Sequence, residues 1–178
     1  KLKVQRKNNM KKPFSFVFFG TPLFAVTILN ELEQHGFLPN LIITQEDKPQ
    51  GRHMEITSPE TKVWAQERGI EVYQPPTLKD GSATKHLSHK APMGGFDVFI
   101  VASYGKIIPK EILSLPKRGV LNVHPSLLPR LRGPSPVVGT ILQEEKAGVT
   151  IMHLDEEMDH GPIVAQEEIE ITDWPPYA

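Results

Sequence analysis

The sequence predicts an α/β domain built on a mostly parallel, twisted sheet with helices on both faces. Three observations predict it. Short, nearly continuous apolar runs recur at residues 14–19, 38–44 and 96–102, and runs of this kind read as strands buried on both faces. Stretches with apolar residues at helical spacing alternate with them. Glycine and proline stand at the joins, as in Gly20-Thr21-Pro22 and Pro75-Pro76, where the chain must turn.

The bulk numbers agree with one domain. The chain has 178 residues, 39% hydrophobic and 23% charged, with a formal net charge of -1. That length supports a sizeable core, and the charge gives no overall field toward nucleic acid or membrane. The absence of cysteine excludes disulfides, thiolate metal sites and a thiol nucleophile. No apolar run reaches the roughly 18 residues of a membrane span. These features lead us to expect a cytoplasmic protein that does not enter a membrane. Residues 1–12 are basic and are expected to be an unstructured or expression-derived leader, with Met10 as the natural start.

In chain order, the first strand at 14–19 meets Gly20-Thr21-Pro22. Thr21 is expected to cap a helix and Pro22 to occupy its first turn. That helix runs to about His35, with Phe24, Ile28, Leu29 and Leu32 inward and Gly36 stopping it. There is no G-x-G-x-x-G, so the dinucleotide fingerprint is missing. A second strand at 38–44 leads into a polar stretch, 45–59, expected to be an exposed loop carrying Lys48 and Arg52. Thr57 or Ser58 then caps a helix to Gly69, and 70–73 is a short strand. Residues 83–89 suggest a weak helix. His86 and His89 on it lack a third ligand, so a solvated face is the better reading than a metal site. The strand at 96–102 turns out through Ser103-Tyr104-Gly105. A short helix follows Pro109 and ends near Leu115.

Then comes Gly119-Val120-Leu121-Asn122-Val123-His124-Pro125-Ser126-Leu127-Leu128-Pro129-Arg130-Leu131-Arg132-Gly133. Alternate residues of an extended chain share a face, so Asn122 and His124 can point into one cleft. Residues 134–143 predict a helix, 148–154 a strand and 155–161 an acidic turn. An alternating strand at 163–171 returns antiparallel, and 172–178 looks like the entry to a further helix. In a parallel sheet, turns after strands open on one edge, which would bring Asp159 to Asn122 and His124. A histidine held by a carboxylate, beside a neutral amide donor, suits stabilisation of an oxyanion formed by attack on a carbonyl. Ser126 lacks a G-x-S-x-G setting, so direct transfer between two bound substrates is favoured over an acyl-enzyme. A bland alternative stands beside this: an Asn, a His and an Asp in loops often serve as structural caps. The acids at 155–159 could hold a cation only in a loop that wraps around it.

Leu121–Gly133 resembles the N-V-H-x-S-L-L-P-R-x-R-G signature of the methionyl-tRNA formyltransferase family. Gly148-Val149-Thr150-Ile151-Met152 through Met158-Asp159-His160-Gly161, Phe19-Gly20-Thr21-Pro22 with Phe24-Ala25, and Ala102-Ser103-Tyr104-Gly105-Lys106-Ile107-Ile108-Pro109 also fit, in the family's order. The likeness implies a Rossmann-like formyltransferase catalytic domain over 13–178, without the family's C-terminal OB-like domain. It implies 10-formyltetrahydrofolate as formyl donor, no metal, and initiator methionyl-tRNA as the partner that supplies the amine. It assigns Asn122, His124 and Asp159 to catalysis. It places the folate against Tyr104, Gly105, Lys106, Ile107, Ile108, Ser126, Leu127, Leu128, Pro129 and Asp155. It places the acceptor against Gly20, Thr21, Pro22, Arg52 and Arg130. Asp159-His160-Gly161-Pro162 carries proline where the tRNA enzymes more often have aspartate, a form also seen in glycinamide ribonucleotide transformylases. Alternatives are an N-formyltransferase for a nucleotide-linked amino sugar, a folate-binding remnant without catalysis, and hydrolysis of the donor to formate.

Overall fold

The computed structural model describes residues 14–50, 54–143 and 146–170. The leader expected at 1–12, Arg52, and the helix entry expected after 171 lie outside them. Among the described residues a seven-stranded sheet runs in the order β5-β2-β1-β6-β7-β8-β9. β1 (Phe16–Gly20), β2 (Leu41–Ile43), β5 (Val72–Tyr73), β6 (Val98–Ala102) and β7 (Val120–His124) are parallel. β8 (Ala147–His153) and β9 (Ile163–Ile169) complete it, each antiparallel to the strand before.

The central strands form because both faces are apolar and both are covered. Val17, Phe19, Phe99 and Val101 face one core with Tyr104, Leu87 and Ile112. Phe16, Phe18 and Val98 face the other. That second core is covered by α1 (Leu23–Gln34) and α2 (Glu60–Glu67). α3 (Ser82–Lys90) and α4 (Lys110–Leu113) cover the first. On α1, Ala25 and Leu29 are fully buried while Phe24, Ile28 and Leu32 pack at the margin. α5 (Pro136–Gln143) lies between β7 and β8.

Four expectations are corrected. The stretch 45–59 is not all loop: β3 (Lys48–Gln50) and β4 (Glu55–Thr57) pair antiparallel as a separate hairpin. Thr21 does not cap α1, nor do Thr57 or Ser58 cap α2. Pro22 and Pro59 hold those positions and neither helix has a side-chain cap bond. The hydroxyls are used elsewhere: Thr21 Oγ1 donates to the Tyr104 carbonyl and Ser58 Oγ to Asp47. β8 is antiparallel to β7, so the turn after it does not open on the shared edge of the parallel strands. Finally, β9 alternates in sequence but is exposed along both faces, as the last strand of the described sheet.

Candidate active site

β7 is where the buried sheet turns polar. Val120, Asn122 and His124 point to the face that carries Phe99 and Val101, because Asn122 lies opposite Val101 in register. The strand outlasts β6 by one position, so His124 stands past the end of its neighbour. His124 is only 5% exposed and Asn122 9%. Buried groups of this kind need hydrogen-bond partners.

Asp159 supplies part of that need. It sits in the β8–β9 connection with φ +49, a left-handed conformation that short polar residues tolerate. Its Oδ2 accepts from the Gly133 N–H at 2.8 Å. Its Oδ1 accepts from Asn122 Nδ2 at 3.4 Å and lies 3.7 Å from His124 Nδ1. The three residues singled out in the sequence are therefore together. The route differs from the expected one: β8 ends with His153 opposite Leu121, and the connection folds back along the sheet face to reach the far end of β7.

The other ring nitrogen is also fixed. His124 Nε2 lies 3.0 Å from the Leu131 carbonyl. A carbonyl only accepts, so Nε2 carries a hydrogen. Nδ1 faces Asp159. The 126–131 loop that offers this carbonyl is pinned from behind. Ser126 Oγ donates to the carbonyls of Arg130 and, more weakly, Leu131. Thr150 Oγ1 donates to the Ser126 carbonyl at 2.6 Å and accepts from the Leu128 N–H at 3.1 Å. Gln166 Nε2 from β9 donates to Thr150 Oγ1 and the Leu128 carbonyl.

Asn122, His124 and Asp159 line a cleft of about 690 Å³. Tyr104, Gly105, Lys106, Ile107, Ile108 and Asp155 line it too, as do Thr21 and Pro22. Ile107 is 72% exposed and Met158 64%, and both lie on the cleft lining, giving apolar surface suited to a flat ring. The Glu157 N–H, then His160, hold the Asp155 carboxyl below the usual carboxylate range. Burial pushes the Tyr104 hydroxyl up, and among the described residues that hydroxyl has no hydrogen-bond partner.

Other expected residues stand apart from the lining. Ser126, Leu127, Leu128 and Pro129 are in the loop behind His124, where Ser126 and Leu128 are buried. Gly20 lies beneath the floor, where a Cβ would come within 2.6 Å of the Phe18 ring and 2.9 Å of the Ala102 carbonyl. Arg130 is exposed on the outer turn of its loop. His86 stacks on Tyr73 with ring centroids 4.0 Å apart, and among the described residues no group of His, Asp and Glu is arranged to hold a metal. Met158, in the Asp155–Asp159 turn that the family likeness sets against the folate, lines the cleft, whereas Gln45 and Leu154, which line it too, were passed over. Gln45 carried no signal.

The chain matches the Formyl transferase family model over residues 14–174. It is 45% identical over 158 residues to a methionyl-tRNA formyltransferase from Thermodesulfovibrio yellowstonii, covering 88% of this chain and 50% of that protein. A methionyl-tRNA formyltransferase from Chloroflexus aggregans is 45% identical over 163 residues, covering 91% and 50%. The chain thus spans about half the length of the curated relatives it matches. In fold it resembles the phosphoribosylglycinamide formyltransferase from Bacillus halodurans, with TM-score 0.67 at 24% identity over 89% of this chain and 81% of that one. A sugar N-formyltransferase from a Shewanella species is similar at TM-score 0.60 and 20% identity, over 90% and 59%. The mostly parallel sheet, the polar end of β7 and the family match agree, and the chain belongs to the formyl transferase family.

Proposed function

We propose that this chain is the catalytic portion of a methionyl-tRNA formyltransferase, moving a formyl group from 10-formyltetrahydrofolate to the amino group of initiator methionyl-tRNA in translation initiation. The observation that carries the chemistry is the carboxylate of Asp159, held by the Gly133 N–H and the Asn122 amide with His124 Nδ1 beside it, on the wall of an open cleft. An amide has two N–H donors. One of Asn122's is directed at Asp159, which leaves the other for an oxygen in the cleft.

The reaction follows from these atoms. The amine lone pair attacks the formyl carbon, and the carbonyl electrons move to oxygen. The Asn122 N–H and a proton on His124 Nδ1 stabilise that oxyanion, which is where such donors contribute most. Asp159, next to Nδ1, assists the proton leaving the attacking nitrogen. Collapse restores the carbonyl and breaks the bond to the folate nitrogen, which takes up a proton. No enzyme nucleophile is needed. Ser126 gives its hydroxyl to Arg130 and Leu131, and Thr21 gives its hydroxyl to Tyr104.

The folate ring system is assigned to the surface formed by residues 104–108, Asp155 and Met158. The acceptor is assigned to the side of Thr21, Pro22 and the β3–β4 hairpin, with Arg52 and Arg130 meeting the tRNA. The tRNA acceptor is supported by 45% identity to named methionyl-tRNA formyltransferases; the similar structures named for other acceptors stand at 24% or less. A cytoplasmic location accompanies this reading, and among the described residues no helix is long and apolar enough to cross a membrane.

The test offers the chain 10-formyltetrahydrofolate with charged initiator tRNA, phosphoribosylglycinamide or a nucleotide-linked amino sugar. Formylated methionyl-tRNA is the expected product. Product from another acceptor alone overturns the acceptor, and formate release without any amine overturns transfer. Folate binding without turnover overturns catalysis.

A further inference from the structure

We propose that Gln45 is a positioning residue: its amide joins the base of the β3–β4 hairpin to the 104–108 loop and thereby sets how tightly the cleft holds the formyl donor. The proposal rests on the formyl-transfer reading above and adds a residue to it. Gln45 lies just beyond β2, and its side chain is held at both ends. Oε1 accepts from Lys48 Nζ at 2.6 Å. Nε2 donates to the Tyr104 carbonyl at 2.8 Å. An ammonium only donates and a carbonyl only accepts, so these partners fix which way the amide points.

Both ends lead to firm ground. The Gln45 backbone carbonyl accepts from Gln74 Nε2 at 2.7 Å, and the same nitrogen donates to Asp47. Asp47 in turn receives Lys62 of α2 at 2.7 and 2.9 Å and the Ser58 hydroxyl. On the other side, the Tyr104 ring packs edge-on against Phe19 at 5.5 Å, and its carbonyl takes a second bond from Thr21. The chain leaves this anchored carbonyl directly into Gly105, Lys106, Ile107 and Ile108, which line the cleft.

Gly105 fits the same arrangement. It has φ +78, and a Cβ there would stand 2.5 Å from Gln45 Nε2. The amide therefore fills the space that a side chain at 105 would need. Lys106 anchors the next residue of the loop to the Pro75 and Pro76 carbonyls at 2.8 and 3.1 Å. With residues 104 and 106 both tied to the β2–β5 side, Ile107 and Ile108 are what the loop has left to present to a ligand.

The experiment compares the unmodified chain with Gln45→Ala, Lys48→Met, Gly105→Ala and the double variant of Gln45 and Gly105. Two quantities are read: hydrogen exchange of the 105–108 amides without substrate, and KM and kcat for transfer from 10-formyltetrahydrofolate. Gln45→Ala should speed exchange and raise the donor KM by about five- to tenfold, the factor that corresponds to one hydrogen bond. kcat at saturating donor should change less than about threefold on the same scale. Lys48→Met should shift KM in the same direction by less, and it carries the test if Gln45→Ala does not fold. In the double variant the separate effects of Gln45→Ala and Gly105→Ala should fail to multiply. Unchanged exchange and unchanged KM, or a loss confined to kcat, overturns the proposal. A chain that transfers no formyl group, yet whose exchange responds to Gln45→Ala, overturns the functional reading while the anchoring role stands.

Discussion

β1, β2 and β6 bury almost every side chain they carry, and all of those are apolar or glycine. β7 and β8, in the same sheet, bury Asn122, His124 and Thr150 among their hydrophobes. The first set is held by the hydrophobic effect, which is non-directional and scales with area. The second depends on a network in which each buried donor and acceptor must find its partner. A substitution of similar size should therefore be read as lost stability in one half and as lost catalysis in the other.

The largest effect should fall in the parallel half. Phe18→Ala empties a fully buried site and should cost about 3–5 kcal/mol of stability, seen as a lower denaturant midpoint. An unchanged midpoint would break the comparison at once. Asn122→Ala comes next and reverses the readout. It should raise the barrier to formyl transfer by about 2.7–4 kcal/mol in kcat, with a smaller midpoint change than Phe18→Ala. If its loss were mainly of stability, the polar half would be scaffold rather than machinery.

Thr150→Val should affect both readouts together. It strands the Leu128 N–H and the Ser126 carbonyl and removes one of the two acceptors of Gln166 Nε2, at about 1–3 kcal/mol, while loosening the loop that offers the Leu131 carbonyl to His124. Smaller again is Asp97, which ties the start of β6 to the start of β1. The Ser15 N–H at 2.9 Å, then its hydroxyl at 3.0 Å, hold this carboxyl below the usual range. A depressed folded value means the contribution is complete above the unfolded value of about 3.9 and is lost as pH falls through the folded one. Asp97→Asn should therefore lower the urea midpoint at pH 7 and converge on the unmodified chain in strong acid. A gap that widened in acid would contradict this. The smallest effect belongs to β9: Val164→Thr, on an exposed strand, should change stability by no more than about 0.5 kcal/mol.

The parallel half was legible in sequence because strands buried on both faces are written as unbroken apolar runs. Phe16–Gly20 and Val98–Ala102 could hardly be read otherwise. The β3–β4 hairpin was not, because Lys48, Pro49, Glu55 and Thr57 carry no such pattern and the pair stands outside the main sheet. The helix starts were misread because a threonine before a proline looks like a cap. Its hydroxyl was claimed by a carbonyl 83 residues away, and no local pattern records that. Asp159 was found near Asn122 and His124, though the stated reason assumed β8 parallel to β7. Gln45 could not be found in advance: its place depends on Lys48, Tyr104 and the missing side chain of Gly105, three facts that only the folded chain brings together.

Among the described residues β9 is the outermost strand of the sheet and is exposed, which has a consequence for strand pairing. A sheet's last strand offers unpaired backbone groups on which another chain could add by strand pairing. β9 carries Glu167 and Glu168 side by side near its end, with Lys146 bound to Glu168. A second copy laid antiparallel on this edge would bring carboxylates close to one another, and like charges facing across a strand pair are destabilising. Among the described residues, the exposed Ile163, Val164 and Ile169 thus share their strand with acidic side chains that weigh against such pairing.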